Sequence, residues 1–156
     1  MARHPRWATR LFSHDDLDAI AAAVHAAERG TSGEIRVHLE PRIPRRRGQP
    51  AGEALARATH VFHRLRMHAT EERNAVLIYL AVEDHKLAIV GDEAVHARVG
   101  DQYWQRVRDV MVERLRAGRP REAIVHAVAD VGRVLSKFFP PRPGQHHQFT
   151  DDVSLD

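Results

Sequence analysis

The sequence predicts a layered α/β fold, formed by a single domain of 156 residues. Helical and strand patterns alternate along the chain, which is typical of α/β proteins. A helical segment separates the first two strands, so these strands should be parallel and joined by a right-handed crossover. The third strand follows after a short turn, which predicts an antiparallel hairpin. The three strands would form a small mixed sheet covered by helices.

The first helix and the first strand have clear boundaries in the sequence. Ser13 and the two aspartates after it mark a helix start, and apolar residues at helical spacing continue until Gly30 ends the helix. Residues 33–40 then alternate apolar with charged side chains, which predicts a half-buried strand. Pro41 ends this strand, and a proline-rich and arginine-rich loop follows.

The remaining elements follow from the same periodicities. Residues 53–67 carry one apolar stripe and should form a helix. Residues 74–82 are almost continuously apolar, which predicts a central strand covered on both faces. Residues 86–91 return as the second arm of the hairpin. Three helices are then predicted over residues 93–99, 101–117 and 120–138.

Composition excludes several classes of function. The 24 basic and 21 acidic residues give a net charge of only +3, so nucleic acid is not expected as a partner. Cysteine is absent, which excludes disulfides, thiolate metal sites and cysteine nucleophiles. No apolar run reaches the roughly 18 residues of a membrane span. No secretory signal begins the chain. We therefore expect a cytoplasmic monomer or weak dimer.

The predicted topology decides which acidic residues can meet. Asp84 lies at the hairpin tip and Asp92 at the opposite end, so roughly 20 Å should separate them. The parallel first strand brings its beginning to the same sheet edge as the beginning of the second strand and the end of the third. Three segments should therefore converge there: Thr31–Glu34, Glu71–Asn74 and Gly91–Glu93.

This sheet edge is the candidate site for a metal ion or a phosphate group. Carboxylate, amide and hydroxyl oxygens are ligands that suit Ca²⁺ or Mg²⁺. The alternative is helix capping, since Asp92 is a good N-cap, Glu93 suits a first turn, and Asp101 can cap the next helix. Both interpretations remain open at this stage. The candidate ligands are Asp92, Glu93, Glu34 and Asn74, with Thr31 and Asp101 as further residues of the edge.

The same segments resemble the TPM-domain family, and the resemblance is strongest to its soluble bacterial branch. The resemblance rests on four segments: "TSGEIRVHLE", the long block "RNAVLIYLAVEDHKLAIVGDEAVHARVGDQYW", the "FFP" that closes the last helix, and an acidic tail. The resemblance extends from residue 13 to the C-terminus. It implies an α/β/α sandwich around a mixed sheet of about four strands, flanked by helices.

The resemblance also implies where the functional residues lie. The sheet-edge motifs of the family coincide here with Thr31, Gly33, Glu34, Asn74, Gly91, Asp92 and Glu93. Ala75 stands where the family usually has glycine, and "DHK" replaces the usual "DRK" turn. Family members are reported as calcium binders, and plant members as acid phosphatases.

Three functions follow as hypotheses. The first is a divalent-cation module, with Ca²⁺ as the preferred ion and Mg²⁺ as the alternative, that has a role in assembly or regulation of a protein partner. The second is a metal-assisted acid phosphatase acting on phosphomonoesters, in which the ion orients phosphate and activates water. The third is an interaction module without metal, if the acids serve only as helix caps.

Different structures are expected at the two ends of the chain. Residues 1–12 are expected to be flexible, and residues 13–139 to form the domain. The tail, residues 140–156, is expected to pack against the domain, because Phe149, Val153 and Leu155 alternate with polar residues.

Overall fold

The fold is built around a four-stranded mixed sheet with the order β3-β2-β1-β4. The computed structural model describes residues 5–45, 52–144 and 153–155. β1 pairs in parallel with both β2 and β4, whereas β2 and β3 form an antiparallel hairpin. The strands are β1 (Glu34–Glu40), β2 (Ala75–Ala81), β3 (Lys86–Gly91) and β4 (Ser154–Leu155).

Helices cover both faces of this sheet, which confirms the predicted α/β/α sandwich. Apolar side chains of α2, α4 and α5 pack on one face, and those of α3 and a short 3₁₀ helix pack on the other. All seven residues of β2 are buried, as its continuous apolar pattern predicts. The helices are α1 (Arg6–Thr9), α2 (His14–Glu28), α3 (Ala54–Arg64), the 3₁₀ helix (Met67–Ala69), α4 (Glu93–Arg116) and α5 (Pro120–Phe138).

Local chemistry sets the helix boundaries. At the start of α2, Ser13 accepts a hydrogen bond from the Asp16 N–H, and Asp16 accepts one from the Ser13 N–H, which forms a capping box. Pro120 occupies the first position of α5, where its missing N–H costs nothing. The helices predicted over 93–99 and 101–117 form the two arms of α4, because Gly100 between them has a non-helical backbone (φ 74°, ψ 174°).

The beginning of the chain differs from the expectation of a flexible segment. Arg6–Thr9 forms α1, and Ala8 and Phe12 are completely buried in the core on the α2 side of the sheet. Trp7 and Leu11 pack against the same core. The physical reason is the apolar surface of these side chains, whose removal from water outweighs the entropy lost on ordering.

The end of the chain supplies the strand that the three-strand prediction lacks. Ser154 and Leu155 pair with His38 and Leu39 of β1. The His38 Nδ1 and the Ser154 Oγ are hydrogen bonded at 2.8 Å. Val153 and Leu155 pack against the core. Phe149, the third apolar residue of the predicted pattern, lies outside the described residues.

Deleting residues 144–156 should therefore lower the melting temperature by several degrees, equivalent to ~1–2 kcal/mol. The loss arises because β1 then exposes an unpaired backbone edge and His38 loses its hydroxyl partner. Thermal unfolding followed by circular dichroism measures it, and a chain shortened only by residue 156 is the control. An unchanged melting temperature would show that the tail adds nothing to stability.

Candidate cation site at the sheet edge

The predicted convergence of acidic segments occurs around Ala75, the first residue of β2. Glu34 of β1 is in register with Ala75 on one side. On the other side, the Asp92 N–H donates to the Ala75 carbonyl at 2.9 Å. Asp84 lies at the opposite end of the hairpin, where its carboxylate accepts from the Ile43 N–H at 2.7 Å. The topology therefore separates Asp84 from Asp92, as the strand directions predict.

Asp92 is the N-cap of α4, and an arginine holds its carboxylate. One oxygen accepts the Glu93 N–H at 2.8 Å. Both oxygens accept hydrogen bonds from Arg73, at 2.8 and 2.9 Å, in a bidentate pair. The hydrogen bond with Asp92 raises the pKa of the Arg73 guanidinium. Arg73 itself adopts a left-handed backbone conformation, with φ 52°.

Arg73 thus places a positive charge where the sequence predicts a cation ligand. The side chain of Asp92 is only 6% exposed, so the bidentate pair occupies most of its surface. Glu93 lies 3.4 Å from the same guanidinium, but its side chain is 70% exposed. The capping interpretation therefore describes Asp92 in this structure, and its role as a metal ligand stays a prediction.

A second polar network lies beside this pair and links the loop before β1 to the loop before β2. The Ser32 hydroxyl donates to the Glu72 carboxylate at 2.5 Å. The Asn74 side-chain amide lies 3.2 Å from both the Ser32 Oγ and the Glu72 Oε2. Asn74 is buried, whereas Ser32 and Glu72 are partly exposed. Sequence reasoning placed Asn74 here but did not select Ser32 or Glu72.

The other predicted residues occupy separate positions. Thr31 is buried, where its hydroxyl donates to the Phe139 carbonyl and accepts the Gly33 N–H. Glu34 is buried at the beginning of β1. Asp101 is 96% exposed, lies 3.5 Å from His96 and lines a groove beside β3. Among the described residues, no three histidine, aspartate or glutamate side chains are grouped as ligands for one metal ion.

A buried polar cluster at the other end of β1 was not predicted. Arg57 of α3 donates two hydrogen bonds to Glu40, at 2.8 and 3.0 Å, and the Tyr79 hydroxyl donates to the same carboxylate. Burial alone would raise the pKa of Glu40, but the His38 imidazole, 3.8 Å away, and the hydrogen bonds from Arg57 and Tyr79 outweigh it and lower the pKa to about 2. The charged alternation of β1 indicated a solvent-facing side, yet only Arg36 of this strand is not buried.

Burial of these polar residues follows from α3, which packs over the face that the alternation assigned to water. The same packing raises the pKa of the Tyr79 hydroxyl, by desolvation first and by its hydrogen bond to Glu40 second. The sequence feature that could have indicated this buried cluster is Arg57, a charged residue within the helix that covers this face. The Glu40 and Arg57 side chains are only 4% and 14% exposed, so we interpret the cluster as a structural ion pair.

Comparison with known proteins places this architecture in a family. A sequence profile of the TPM domain matches residues 7–134, which is most of the chain. The chain belongs to the TPM domain family. This membership confirms the resemblance to the TPM-domain family, whereas the soluble bacterial branch stays a prediction. The profile begins at residue 7, within α1, so the first helix is part of the TPM domain.

Solved structures share the fold of this TPM domain. The NMR structure of the BA42 protein from the psychrophilic bacterium Bizionia argentinensis is similar with a TM-score of 0.79 and 32% sequence identity, over 93% of this chain and 95% of that chain. The N-terminal domain of a P. gingivalis protein, also solved by NMR, has a TM-score of 0.62 at 19% identity, over 89% and 83% of the two chains, and so shares the fold alone.

A search among curated proteins found no match to this TPM domain. Within the described residues, no helix has both the length and the apolar character needed to cross a lipid bilayer.

Proposed function

We propose that this TPM domain is a divalent-cation-binding module, with Ca²⁺ as the preferred ion and Mg²⁺ as the alternative, and that it serves assembly or regulation of a protein partner. The observation that carries the proposal is the Ser32, Glu72 and Asn74 network. Its polar atoms lie within 3.2 Å of one another at the edge where the sequence predicts the site. Family membership adds support, because the resemblance implies calcium binding.

The chemistry of this network fits a hard cation. Calcium takes carboxylate, hydroxyl, amide and backbone carbonyl oxygens at about 2.3–2.6 Å. Glu72 supplies a carboxylate and Ser32 a hydroxyl. Asn74 presents its amide nitrogen to both, and a rotation of that amide group would present its oxygen instead. The fit is incomplete within the protein, since calcium takes six to eight oxygens, so water would complete the coordination.

Charge around the network also favours a cation. Glu71 and Glu72 are adjacent in the chain, and Arg142 is their nearby positive partner, at 3.4 and 3.8 Å. The Arg142 side chain is 54% exposed, and exposed pairs of this kind are worth little. A divalent ion should therefore displace it readily. Arg73 is neutralised by Asp92 and does not contribute an unpaired positive charge.

This proposal changes the order of the ligands predicted from the sequence. Glu72, Ser32 and Asn74 become the first ligands in this order, and Glu34, at the beginning of β1, is the next candidate. Asp92 joins only if Arg73 releases it. A metal-assisted phosphatase needs, in addition, an open coordination position and a general acid. The contacts of Ser32, Glu72 and Asn74 account for binding of an ion without these further requirements, so cation binding is the function we propose and the phosphatase is the alternative.

Calcium should raise the melting temperature of the wild-type protein by mass action, with a gain of about 2.7 kcal/mol at a hundredfold excess over the dissociation constant. Glu72→Gln should abolish this gain, because it removes the carboxylate of the network. Thermal unfolding with and without millimolar Ca²⁺ or Mg²⁺ measures the effect, and calorimetric titration gives the affinity. No gain in the wild-type protein would exclude cation binding.

Two further variants complete the test. Glu83→Gln removes a carboxylate that pairs with Arg10 and Arg42 at the opposite end of the hairpin, so the calcium effect should stay unchanged. Asp92→Asn should lower stability without calcium, because a helix cap and an ion pair are lost. It should nevertheless keep the calcium gain. Loss of that gain would make Asp92 a ligand, as the sequence predicts.

A further inference from the structure

A groove runs along the outer edge of β3, on the side of the hairpin away from β1. It encloses about 840 Å³ between the beginning of α3 and one side of α4. The whole of β3 lines it, together with Leu55 of α3 and Trp104, Arg108 and Arg116 of α4. The groove is distinct from the Ser32, Glu72 and Asn74 network, none of whose residues line it.

The floor of the groove is a strand edge with backbone groups directed outwards. The register places Val90, Ala88 and Lys86 opposite Leu77, Tyr79 and Ala81, and the Asp92 N–H donates to β2. Since hydrogen-bonding residues alternate along an antiparallel strand, Leu87, Ile89 and Gly91 present their N–H and C=O groups to the groove. Among the described residues, β2 is the strand that pairs with β3.

Most exposed strand edges are protected by charges, prolines or bulges. β3 has a single charged residue, Lys86, at its beginning. The opposite end is shaped by Trp104, whose indole packs so closely on Gly91 that a Cβ there would lie 2.2 Å from the ring. Leu55 forms the α3 wall and is 58% exposed, the most exposed large apolar side chain of the described residues. The groove thus combines an apolar wall with an unprotected strand edge.

Positive charge predominates in the groove, where Lys86, Arg108 and Arg116 outnumber the acidic lining residues Glu53 and Asp101, and Asp101 lies 3.5 Å from His96. Arg108 and Arg116 are exposed and make no ion pair within the described part of the chain. They are eight residues apart on one helix, which corresponds to about 12 Å. Residues four apart on one face of a strand are separated by about 13 Å. Two acidic residues at that spacing on an added strand would therefore each meet one arginine.

We propose that this groove binds an extended acidic peptide segment of another protein, which adds as a fifth strand to the edge of β3. Side chains of an added strand alternate between the two walls. Acidic side chains would face Arg108 and Arg116, and apolar side chains would face Leu55. A second copy of this chain fits less well, because pairing β3 with β3 would bring the positive residues of both copies together.

A fluorescein-labelled heptapeptide, Val-Asp-Val-Thr-Val-Asp-Val, tests the proposal by fluorescence anisotropy with the full chain. Binding should be saturable, and it should weaken as salt rises, because the charges are at the rim. The same peptide with asparagine in place of aspartate should bind about tenfold more weakly. Absence of saturable binding at millimolar protein would overturn the proposal.

Charge reversal tests whether Arg108 and Arg116 bind the acidic side chains of the peptide. The double variant Arg108→Glu and Arg116→Glu should bind the aspartate peptide at least about tenfold more weakly and should gain affinity for a lysine version of it. The double variant Arg106→Glu and Arg133→Glu makes the same change in net charge on a surface shared by α4 and α5, so it should leave affinity for both peptides within about twofold. Equal effects of the two double variants would show non-specific attraction and overturn the proposal.

N-methylated peptides test whether the peptide pairs with β3 through its backbone. N-methylation of the valines and N-methylation of the aspartates and threonine block opposite edges of the peptide. One of these two peptides should lose binding and the other should retain it. Equal binding of both would exclude strand addition. Sedimentation velocity of the protein alone tests whether a second copy of this chain occupies the groove. A stable dimer that excludes the peptide would assign the groove to a second copy and overturn the proposal.

Discussion

Glu40→Gln should lower the free energy of unfolding by about 3–5 kcal/mol, because it leaves a largely buried guanidinium without its counter-ion. The Arg57 side chain is only 14% exposed and donates twice to Glu40. Tyr79, which is completely buried, would also lose the carboxylate that accepts the hydrogen bond of its hydroxyl group. Urea unfolding at neutral pH measures the change.

Glu40 should also make the free energy of unfolding depend on pH in the acidic range. The pKa of Glu40 is about 2 in the folded chain, against an ordinary value of 4.5. A carboxyl group with a lowered pKa stabilises the folded state above its unfolded pKa. Its contribution, on the order of 3 kcal/mol, should therefore be lost as pH falls from about 4.5 towards 2. In Glu40→Gln, this part of the acid dependence should be absent.

Glu83→Gln is the matched control. Glu83 also pairs with two arginines, but their side chains are 72% and 68% exposed, so the loss should be below about 1 kcal/mol. A second change, Arg57→Met, should recover part of the stability of Glu40→Gln by removing the uncompensated charge. If Glu40→Gln and Glu83→Gln cost the same, the buried cluster does not stabilise the fold.

Gly132→Val should have the next largest effect, a loss of about 3 kcal/mol, because it forces α2 and α5 apart. A Cβ at Gly132 would lie 2.8 Å from the Cβ of Ala27 and 3.4 Å from its Cα. Neither atom belongs to a flexible side chain, so the helices themselves must move. Differential scanning calorimetry gives the change in melting temperature.

The control for this prediction lies on the same helix. Ser136→Val introduces the same side chain at an exposed position of α5 and should cost only the small difference in helix propensity. Adding Ala27→Gly to Gly132→Val should restore part of the loss, since it removes the nearest atom of α2. Equal stability of Gly132→Val and Ser136→Val would show that the contact between α2 and α5 tolerates additional volume.

Much of the fold could be predicted because its signals are local. The capping box at Ser13 and Asp16, the apolar run of β2 and the proline at the start of α5 each act within a few residues of the chain. Strand directions then follow from connectivity, and they place Asp84 and Asp92 at opposite ends of the hairpin. The resemblance to TPM proteins added the expected fourth strand, which β4 provides through residues far along the chain from β1.

The sequence predicted which segments meet at this sheet edge but not which side chains pair there. Topology brought the segments of Glu34, Asn74 and Asp92 to one edge, as strand register requires. The partner of Asp92, however, is Arg73, which lies 19 residues away and directly precedes the predicted ligand Asn74. Ser32 and Glu72 carry no motif, and they become visible only where two loops meet.

The sequence by itself determined the elements, their order and the edge at which the acids gather, because hydrogen bonding and periodicity along a strand or helix are properties of neighbouring residues. The tertiary structure alone decided which charges are paired. Arg57 and Tyr79 meet Glu40 across 17 and 39 residues of chain, and no local pattern records such a contact. Burial by α3 then turned a polar strand face into an ion-paired interior, because a charge removed from water must find a partner.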